Sequence, residues 1–244
     1  MTELRLAMWS GPRNISTAMM RAFENRSDAF VCDEPLYAHY LSVTRLEHPG
    51  REEILEKCET DWRLVADWLT GPIPGGKSVF YQKHMAHHLL PSIEREWLEG
   101  LTHAILIRDP REMLTSLIKV YPDAGLDDTG LPQQVELVSW LQEKTGQVPP
   151  ILDSKDVLDN PRVLLEKLCD RVDIPFEESM LEWPEGPRPT DGVWAKHWYA
   201  AVEKTTGFQP YRPKPDPIPD DLESVLEASQ LLYDQLYAQR LRAD

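Results

Sequence analysis

The 244-residue sequence predicts an α/β fold of three layers, α/β/α, in which helices cover both faces of a mostly parallel central sheet. Short strand-like runs alternate along the chain with longer amphipathic stretches, and this alternation is typical of parallel strands that are joined by helices. The strand-like runs fall at 4–9, 29–32, 78–82, 103–107 and 150–152. The helix-like stretches fall near 16–26, 36–43, 51–69, 86–99, 110–120, 132–145 and 161–171.

Two of the helices have well-marked starts. Asp109 stands before Pro110, with Glu112 at the position that completes a capping box, and Asn160 stands before Pro161. Asp and Asn side chains accept hydrogen bonds from the free amides of a first turn, and Pro fits the first helical position. We therefore predict helices that begin at Pro110 and Pro161.

A single domain is expected over residues 1–244, since 41% hydrophobic residues is the share of a globular protein and the length allows one substantial core. The core is expected over about 4–180. Residues 184–219 are rich in Pro and aromatic residues, which predicts an ordered loop region packed over one face. Helical spacing of apolar residues over about 221–241 predicts a final helix that closes the core.

Composition narrows the class of partner. The formal charge is -15, with 41 Asp and Glu against 26 Lys and Arg, which disfavours nucleic acid and anionic membrane surfaces as partners. No apolar run reaches the length of a membrane span, and Met1 leads straight into a strand instead of a signal peptide, so a cytoplasmic location is expected. The three cysteines are isolated, which predicts neither a disulfide framework nor a metal site.

An anion site is indicated by Ser-Gly-Pro-Arg-Asn-Ile-Ser-Thr at 10–17, between the first strand and the first helix. Free backbone N–H groups and the positive end of the helix dipole face the ligand at such a junction. Arg13, Asn14, Ser16 and Thr17 are the candidate binding residues. The segment 71–78 also satisfies the P-loop formula G-x-x-x-x-G-K-[ST], but there a helix precedes the loop and a strand follows it. That reversed order predicts an ordinary helix-to-strand turn.

The loop at 10–17 lacks the Lys-Ser/Thr ending with which nucleotide kinases hold phosphate and Mg²⁺. It resembles instead the 5′ loop of sulfotransferases that use 3′-phosphoadenosine 5′-phosphosulfate (PAPS), with Arg13 in the basic place and Ser16-Thr17 as the hydroxyl pair. Asn14-Ile15 stands where the family often has a small residue and Gly. The resemblance implies a P-loop NTPase-like fold, PAPS as sulfuryl donor and no metal.

A second element of the same family is an Arg at a strand end followed by a Ser eight positions later. Arg108 and Ser116 have that spacing, and the resemblance implies that they hold the 3′-phosphate of the nucleotide. An Arg suits this role because its planar guanidinium group makes paired, charge-assisted hydrogen bonds to phosphate oxygens. Residues 153–176 also resemble the family, so the resemblance covers roughly residues 4–180.

Sulfuryl transfer requires a base for the acceptor hydroxyl and cations for the leaving phosphate. Glu34 is the preferred general base, because it follows the second strand at the edge where open α/β sheets bind ligands. Several sulfotransferase branches place a catalytic carboxylate at a matching point. Lys83 and His84 follow the third strand, at a position that resembles the Lys-Thr-His stretch of cytosolic sulfotransferases, so His84 is the rival base and Lys83 the group that neutralises the leaving oxygen.

The remaining candidate residues lie nearer the C-terminus. Lys196 is expected to touch phosphate, and a Trp of the same segment to line the acceptor pocket, which residues 36–50 and 184–212 would build. The sequence therefore favours a sulfotransferase that acts by direct in-line transfer on a hydroxyl of a small molecule. Two alternatives stay open: a P-loop kinase for a small hydroxyl compound, with Asp33 or Asp153 on Mg²⁺, and a non-catalytic nucleotide-binding protein. Acceptor identity and oligomeric state stay open as well.

Overall fold

The computed structural model describes residues 3–213 and 217–244. Met1, Thr2 and 214–216, which fall within the predicted lead-in and the predicted Pro-rich region, lie outside the described residues. Five strands form one parallel sheet in the order β2-β3-β1-β4-β5. They are Leu4–Ser10 (β1), Ala29–Asp33 (β2), Val79–Met85 (β3), Thr102–Ile107 (β4) and Ile151–Asp153 (β5). All five predicted strands are confirmed, and β3 runs three residues further than expected.

Helices cover both faces of this sheet, as predicted. In chain order they are Ser16–Glu24 (α1), Tyr37–Thr44 (α2), Arg51–Lys57 (α3), Trp62–Thr70 (α4), Pro110–Leu117 (α5), Leu131–Thr145 (α6), Ser154–Asp159 (α7), Pro161–Arg171 (α8), Ala195–Trp198 (α9) and Glu223–Tyr237 (α10). Residues of α4, α6 and α10 pack in the apolar core on one face, and residues of α1, α7 and α8 pack in the core on the other. The α/β/α three-layer fold is therefore present.

Side-chain alternation along the strands separates the two cores. In β1, Leu6 and Met8 enter the core beside α1, while Ala7 and Trp9 enter the core beside α6. Successive side chains of a strand point to opposite faces, and both faces of a sheet covered by helices are apolar. For this reason β1, in the middle of the sheet, is almost continuously hydrophobic.

Two helix predictions need correction. The stretch 51–69 is two helices, because Cys58 adopts an extended backbone (φ -117°, ψ 153°) and Asp61 then caps α4 with its side chain. The stretch 86–99 contains only short 3-10 turns at Ala86–His88 and Glu96–Gly100. Pro91 accounts for the interruption, since it donates no backbone hydrogen bond and disfavours helical geometry at the preceding residue.

The two predicted helix starts have different outcomes. The Asp109 carboxylate accepts hydrogen bonds from the amides of Arg111 and Glu112, so the predicted cap of α5 is confirmed. Asn160 makes no capping hydrogen bond with its side chain, and that part of the prediction was wrong. Its backbone amide instead bonds to the Asp156 carbonyl and ends α7, so the chain passes from one helix directly into the next.

The segment that satisfies the P-loop formula is a helix-to-strand turn, as predicted. α4 ends at Thr70, a short turn follows at Pro74–Gly76, and β3 begins at Val79. This turn lies at the amino ends of the strands, because Ser78 pairs through its carbonyl with the amide of Leu4 at the start of β1. The loop at 10–17 lies at the opposite, carboxyl edge.

The C-terminal helix α10 contributes to the core. Leu236 has no solvent exposure and Tyr233 is buried, and both belong to the core on the face of α6. The helix is shorter than the predicted span of 221–241, since it ends at Tyr237. Within the described residues, no helix is both long and apolar enough to cross a membrane.

Truncation of the buried leucine of α10 is expected to destabilise the protein. Leu236→Ala should lower the free energy of unfolding by about 2–5 kcal/mol, because it removes buried methyl groups and leaves a cavity. The matched control is Leu231→Ala on the same helix, where the side chain is 74% exposed. Urea denaturation measures both changes, and equal effects of the two substitutions would contradict the packing described for α10.

Candidate active site

A cavity of about 510 Å³ opens at the carboxyl edge of the sheet. Its walls come from the loop after β1, the residues that follow β2 and β3, helix α5 and the segment 198–212. In an open parallel sheet this edge is where ligands bind, because loops that follow neighbouring strands converge there. The candidate residues Arg13, Asn14, Ser16, Thr17, Glu34, Lys83, Arg108 and Ser116 all line this one cavity.

The loop at 10–17 is shaped by close packing and by one side-chain amide. A Cβ at Gly11 would lie 2.4 Å from the carbonyl oxygen of Thr129, so a side chain cannot be accommodated there. Asn14 donates to the Leu106 carbonyl (3.0 Å) and accepts from the amide of Ile15 (2.8 Å). The Asn14 side chain therefore anchors the turn to β4 at the position where the sequence departs from the family pattern.

Arg13 is held in an unusual backbone conformation. Its φ is 54°, in the left-handed region that residues with a side chain seldom adopt. Such strain persists only where the surrounding structure enforces it, and it concentrates at functional sites. The turn brings the Arg13 side chain toward α5, where it contacts Ser116.

Arg13, Arg108 and Ser116 form a connected cationic group, which we call the donor end of the cavity. Arg13 Nε donates to Ser116 Oγ (3.0 Å), and Arg108 donates to the Arg13 carbonyl and to Glu112 Oε2 (3.0 Å for the latter). Tyr211 donates to the other oxygen of Glu112. Burial, with Arg108 as a nearby positive charge, lowers the pKa of Arg13. Two guanidinium groups held this close make a favourable site for an anion.

One polar atom at the donor end has no partner. Among the described residues, Nε of Arg108 is buried and makes no hydrogen bond. A buried donor without a partner is costly, so such atoms usually mark a ligand-binding position. The first residues of α1, Ser16, Thr17 and Ala18, also line the cavity, and a first helical turn leaves its N–H groups without intrahelical partners.

The centre of the cavity contains a buried ionic cluster, which we call the Lys83 cluster. Lys83 Nζ donates to Asp33 Oδ1 (2.7 Å), Glu34 Oε1 (2.6 Å) and the Tyr199 hydroxyl (2.6 Å). Tyr199 donates to Asp33 (2.7 Å to Oδ2), and the Gly192 amide donates to the same oxygen (3.0 Å). The three hydrogen bonds of Lys83 use all of its ammonium protons.

Burial and charge act against each other in the Lys83 cluster. Burial raises the pKa of Glu34, against the opposing effect of the Lys83 ammonium. Burial alone would lower the pKa of Lys83, but the Asp33 and Glu34 carboxylates outweigh it and raise that pKa well above its ordinary value. Lys83 is therefore a stable cation, and Glu34 is a carboxylate that takes up a proton more readily than a solvated one.

Two sequence predictions are corrected by the structure. Lys83 and His84 are neighbours on β3, so their side chains point to opposite faces, and only Lys83 reaches the cavity. His84 stacks on Trp9 at 4.1 Å in the core, and burial lowers its pKa to about 3. Lys196 does not line the cavity either, because it is an exposed residue paired with Glu53. Neither residue is placed to serve as base or phosphate ligand.

Two residues of the Lys83 cluster were not singled out from the sequence in the roles that the structure gives them. Asp33 completes the Lys83 cluster, and the strand-end argument that selected Glu34 applied equally to it. Tyr199 lies 116 positions from Lys83, and no local pattern connects the two. The predicted pocket segments were 36–50 and 184–212; residues of 36–50 and of 198–212, Trp198 among them, line the cavity, whereas no residue of 184–197 does.

Comparison with known proteins identifies the family. The family model described as "Sulfotransferase domain" matches residues 4–240. Two proteins of Arabidopsis thaliana, "Branched-chain-amino-acid aminotransferase-like protein 1" and "protein 2", are 39% and 38% identical over 229 residues. That match covers 93% of this chain but 40% of each relative, so the chain spans about two fifths of their length.

Solved structures with the same fold are more distant in sequence. The sulfotransferase domain of the curacin biosynthetic pathway has a TM-score of 0.55 at 16% identity, and the match covers 96% of this chain and 98% of that one. A sulfotransferase from Alicyclobacillus acidocaldarius has a TM-score of 0.56 at 11% identity, with 99% and 97% covered. These likenesses show the fold, and the family model matches nearly the whole sequence. The chain therefore belongs to the sulfotransferase domain family.

Proposed function

We propose that this protein transfers a sulfuryl group from PAPS to a hydroxyl of a small molecule. One observation carries the proposal: a single cavity joins a cationic donor end, at the start of α1, to a buried carboxylate and lysine pair. The first feature suits a phosphorylated donor and the second suits an alcohol that must lose a proton. Family membership supports the same class of reaction.

The donor end fits the two phosphate-type groups of PAPS. The first amides of α1, with Arg13, Ser16 and Thr17, would hold the 5′-phosphosulfate, because amides, hydroxyls and a guanidinium all donate to its oxygens. Arg108 and Ser116 would hold the 3′-phosphate, and the unpartnered Nε of Arg108 supports this assignment. Asn14 would contribute indirectly, because its side chain holds the loop at 10–17 in shape.

PAPS supplies the sulfuryl group and leaves as adenosine 3′,5′-bisphosphate (PAP). Glu34 would accept the proton of the acceptor hydroxyl as the new oxygen–sulfur bond forms and the bond to the leaving phosphate oxygen breaks, and would then release that proton to solvent. Arg13 would stabilise the charge that gathers on the leaving phosphate. Direct in-line transfer needs no covalent intermediate on the protein.

Lys83 would act mainly on Glu34. All three ammonium protons are engaged, one of them with Glu34 at 2.6 Å, so the ammonium orients that carboxylate and keeps it ionised before transfer. The predicted contact with the leaving oxygen requires that Lys83 give up one of these bonds. When Glu34 takes up the proton of the acceptor, its hydrogen bond with Lys83 weakens. The Lys83 ammonium would then be free to donate to the leaving phosphate oxygen.

The kinase alternative has less support. Both oxygens of Asp33 accept hydrogen bonds from Lys83, Tyr199 or Gly192, and those of Asp153 cap α7 and accept from Tyr233. Neither carboxylate has an oxygen free of these donors to offer Mg²⁺.

Two wider expectations accompany the proposal. The two apolar cores share one sheet, which supports a single domain over the chain. A cytoplasmic location stays a prediction from the sequence.

Nucleotide selectivity tests the donor assignment. PAP should raise the melting temperature of the protein, whereas ADP with Mg²⁺ should not, because a ligand that binds only the folded state stabilises it. Differential scanning fluorimetry over a concentration series measures both. Stabilisation by ADP with Mg²⁺ alone would favour the kinase, and no response to either nucleotide would contradict the donor site.

Removal of the strand-end arginine should weaken nucleotide binding. Arg108→Ala is expected to raise the Kd for PAP about ten- to hundredfold, since hydrogen bonds to charged groups contribute roughly 1.5–3 kcal/mol. The matched control is Arg111→Ala in the first turn of α5, three positions further along the chain, where the arginine is exposed and does not line the cavity. Isothermal titration calorimetry gives both constants, and an unchanged Kd in Arg108→Ala would remove it from the phosphate site.

Glu34→Gln should strongly reduce turnover and spare nucleotide binding. We expect kcat to fall about a hundredfold or more, the usual contribution of a general base, with the Kd for PAP within about twofold of the wild type. Lys83 retains the Asp33 carboxylate in this variant, so the fold should persist. Turnover with PAPS and calorimetry with PAP separate the two effects.

The pH dependence of turnover provides the control for Glu34→Gln. The base works as a carboxylate, so activity should fall as the pH drops through the pKa of Glu34, which burial raises above its ordinary value. The acid limb should be present in the wild type and absent from the residual activity of Glu34→Gln. Persistence of the same limb in the variant would assign the base elsewhere.

A further inference from the structure

The end of the cavity beyond the Lys83 cluster has an aromatic wall, which we call the acceptor end. The His88 ring stacks between Tyr37 and Tyr40, with both ring centroids at 4.7 Å, and His48 lies between Tyr37 and Tyr121. The Tyr37 hydroxyl is 2.9 Å from His48 Nδ1. These rings are packed on each other, so the wall is rigid and does not depend on a ligand for its shape.

Carboxylates accompany this wall. Glu34, Glu47 and Asp128 line this part of the cavity, and Lys83 is the only lysine or arginine among the lining residues that is not at the donor end or on the 198–212 segment. The Lys83 charge is already matched by Asp33 and Glu34. No ion pair involves Glu47 or Asp128 within residues 3–213 and 217–244. The acceptor end therefore has an excess of negative charge.

The histidines do not offset this charge. His48, His87 and His88 all line the cavity, and burial lowers the pKa of each. They are neutral imidazoles at neutral pH. Among the described residues, Nδ1 of His87 and Nδ1 of His88 have no hydrogen-bond partner, so the wall also contains polar atoms that no protein group satisfies.

Aromatic rings beside carboxylates are the surroundings that bind ammonium groups. The face of a tyrosine or tryptophan ring attracts a cation through its quadrupole, and a nearby carboxylate adds Coulomb attraction in a partly desolvated site. An anionic acceptor would meet three carboxylates instead. A neutral apolar alcohol could contact the rings but would gain no charge attraction from Asp128.

We propose that the acceptor of this sulfotransferase is an alcohol that carries an ammonium group, with the cation against the Tyr37, Tyr40 and Tyr121 wall and Asp128, and the hydroxyl at Glu34. The inference rests on the proposed function. The cavity of about 510 Å³ must hold the donor as well, so the acceptor is a small amino alcohol or quaternary ammonium alcohol. Transfer then forms a sulfate ester whose negative charge is balanced within the product.

A pair of isosteric alcohols tests the charge directly. Choline and 3,3-dimethyl-1-butanol have nearly the same shape, and only choline is cationic. With the full chain saturated with PAP, calorimetry should give about tenfold tighter binding of choline, in the range of cation–π and ion-pair contributions. The ratio of kcat/KM with PAPS should favour choline by a similar factor.

Asp128→Asn identifies the source of the selectivity. Asparagine retains an oxygen for the hydrogen bond that Asp128 accepts from the Gly125 amide (2.8 Å), so the loop should keep its shape. Choline binding should weaken about three- to tenfold while 3,3-dimethyl-1-butanol binding stays the same. The matched control is Asp123→Asn, an exposed residue of the same loop outside the cavity, which should change neither constant.

The outcomes separate this inference from the proposed function. Equal or tighter binding of the neutral alcohol, or no binding of choline, would overturn the cationic acceptor. If that alcohol were nevertheless sulfated from PAPS, the sulfotransferase assignment would stand. Choline selectivity that is lost in Asp128→Asn but accompanied by no sulfation from PAPS would support the cation site and contradict the proposed reaction.

Discussion

The site depends on the ion cluster around Lys83, which is buried at the carboxyl edge of the sheet. A lysine removed from water is stable only if carboxylates and hydrogen-bond acceptors replace its hydration, and here Asp33, Glu34 and Tyr199 supply all three partners. The residues come from β2, β3 and the segment after α9, so the cluster also fixes that segment against the sheet edge. Loss of both carboxylates would leave Lys83 as an uncompensated buried charge, and breaking a buried ion pair in this way typically costs about 3–5 kcal/mol. The same contacts therefore hold the cavity wall and position the proposed base.

Backbone strain is the second property that the site residues share. Arg13 and Glu34 both adopt positive φ, 54° and 43°, although neither is glycine. Such conformations cost about 1–3 kcal/mol each and need support from the surrounding structure. Asn14 supports the first turn through its bond to Leu106, and the Glu34 amide donates to the Lys83 carbonyl at 2.8 Å. The two side chains are thereby aimed into the cavity before any ligand arrives.

Positive and negative side chains are unevenly distributed along the cavity of this protein. The chain has a formal charge of -15 and shows no basic cluster in its sequence, yet Arg13, Arg108 and Arg212 all line one cavity. Folding brings Arg13 and Arg108 together from positions 95 residues apart in the chain and leaves Asp128 at the other end. An acidic protein can therefore attract a polyanionic donor locally. The opposite ends of one cavity can then suit ligands of opposite charge, which the total charge alone would never reveal.

The sequence by itself determined the five strands, the fold class, the loop at 10–17 and the Arg108 and Ser116 pair. These features depend on local patterns of polarity and on short spacings, which survive without the tertiary structure. It could not separate Lys83 from His84, because the direction of a strand residue depends on register against β1 and β2. It also misplaced Lys196 and could not reveal Tyr199, since both assignments depend on how the segment after residue 184 packs. Only the tertiary structure decided these points, because contacts between residues far apart in the chain leave no periodicity in the sequence.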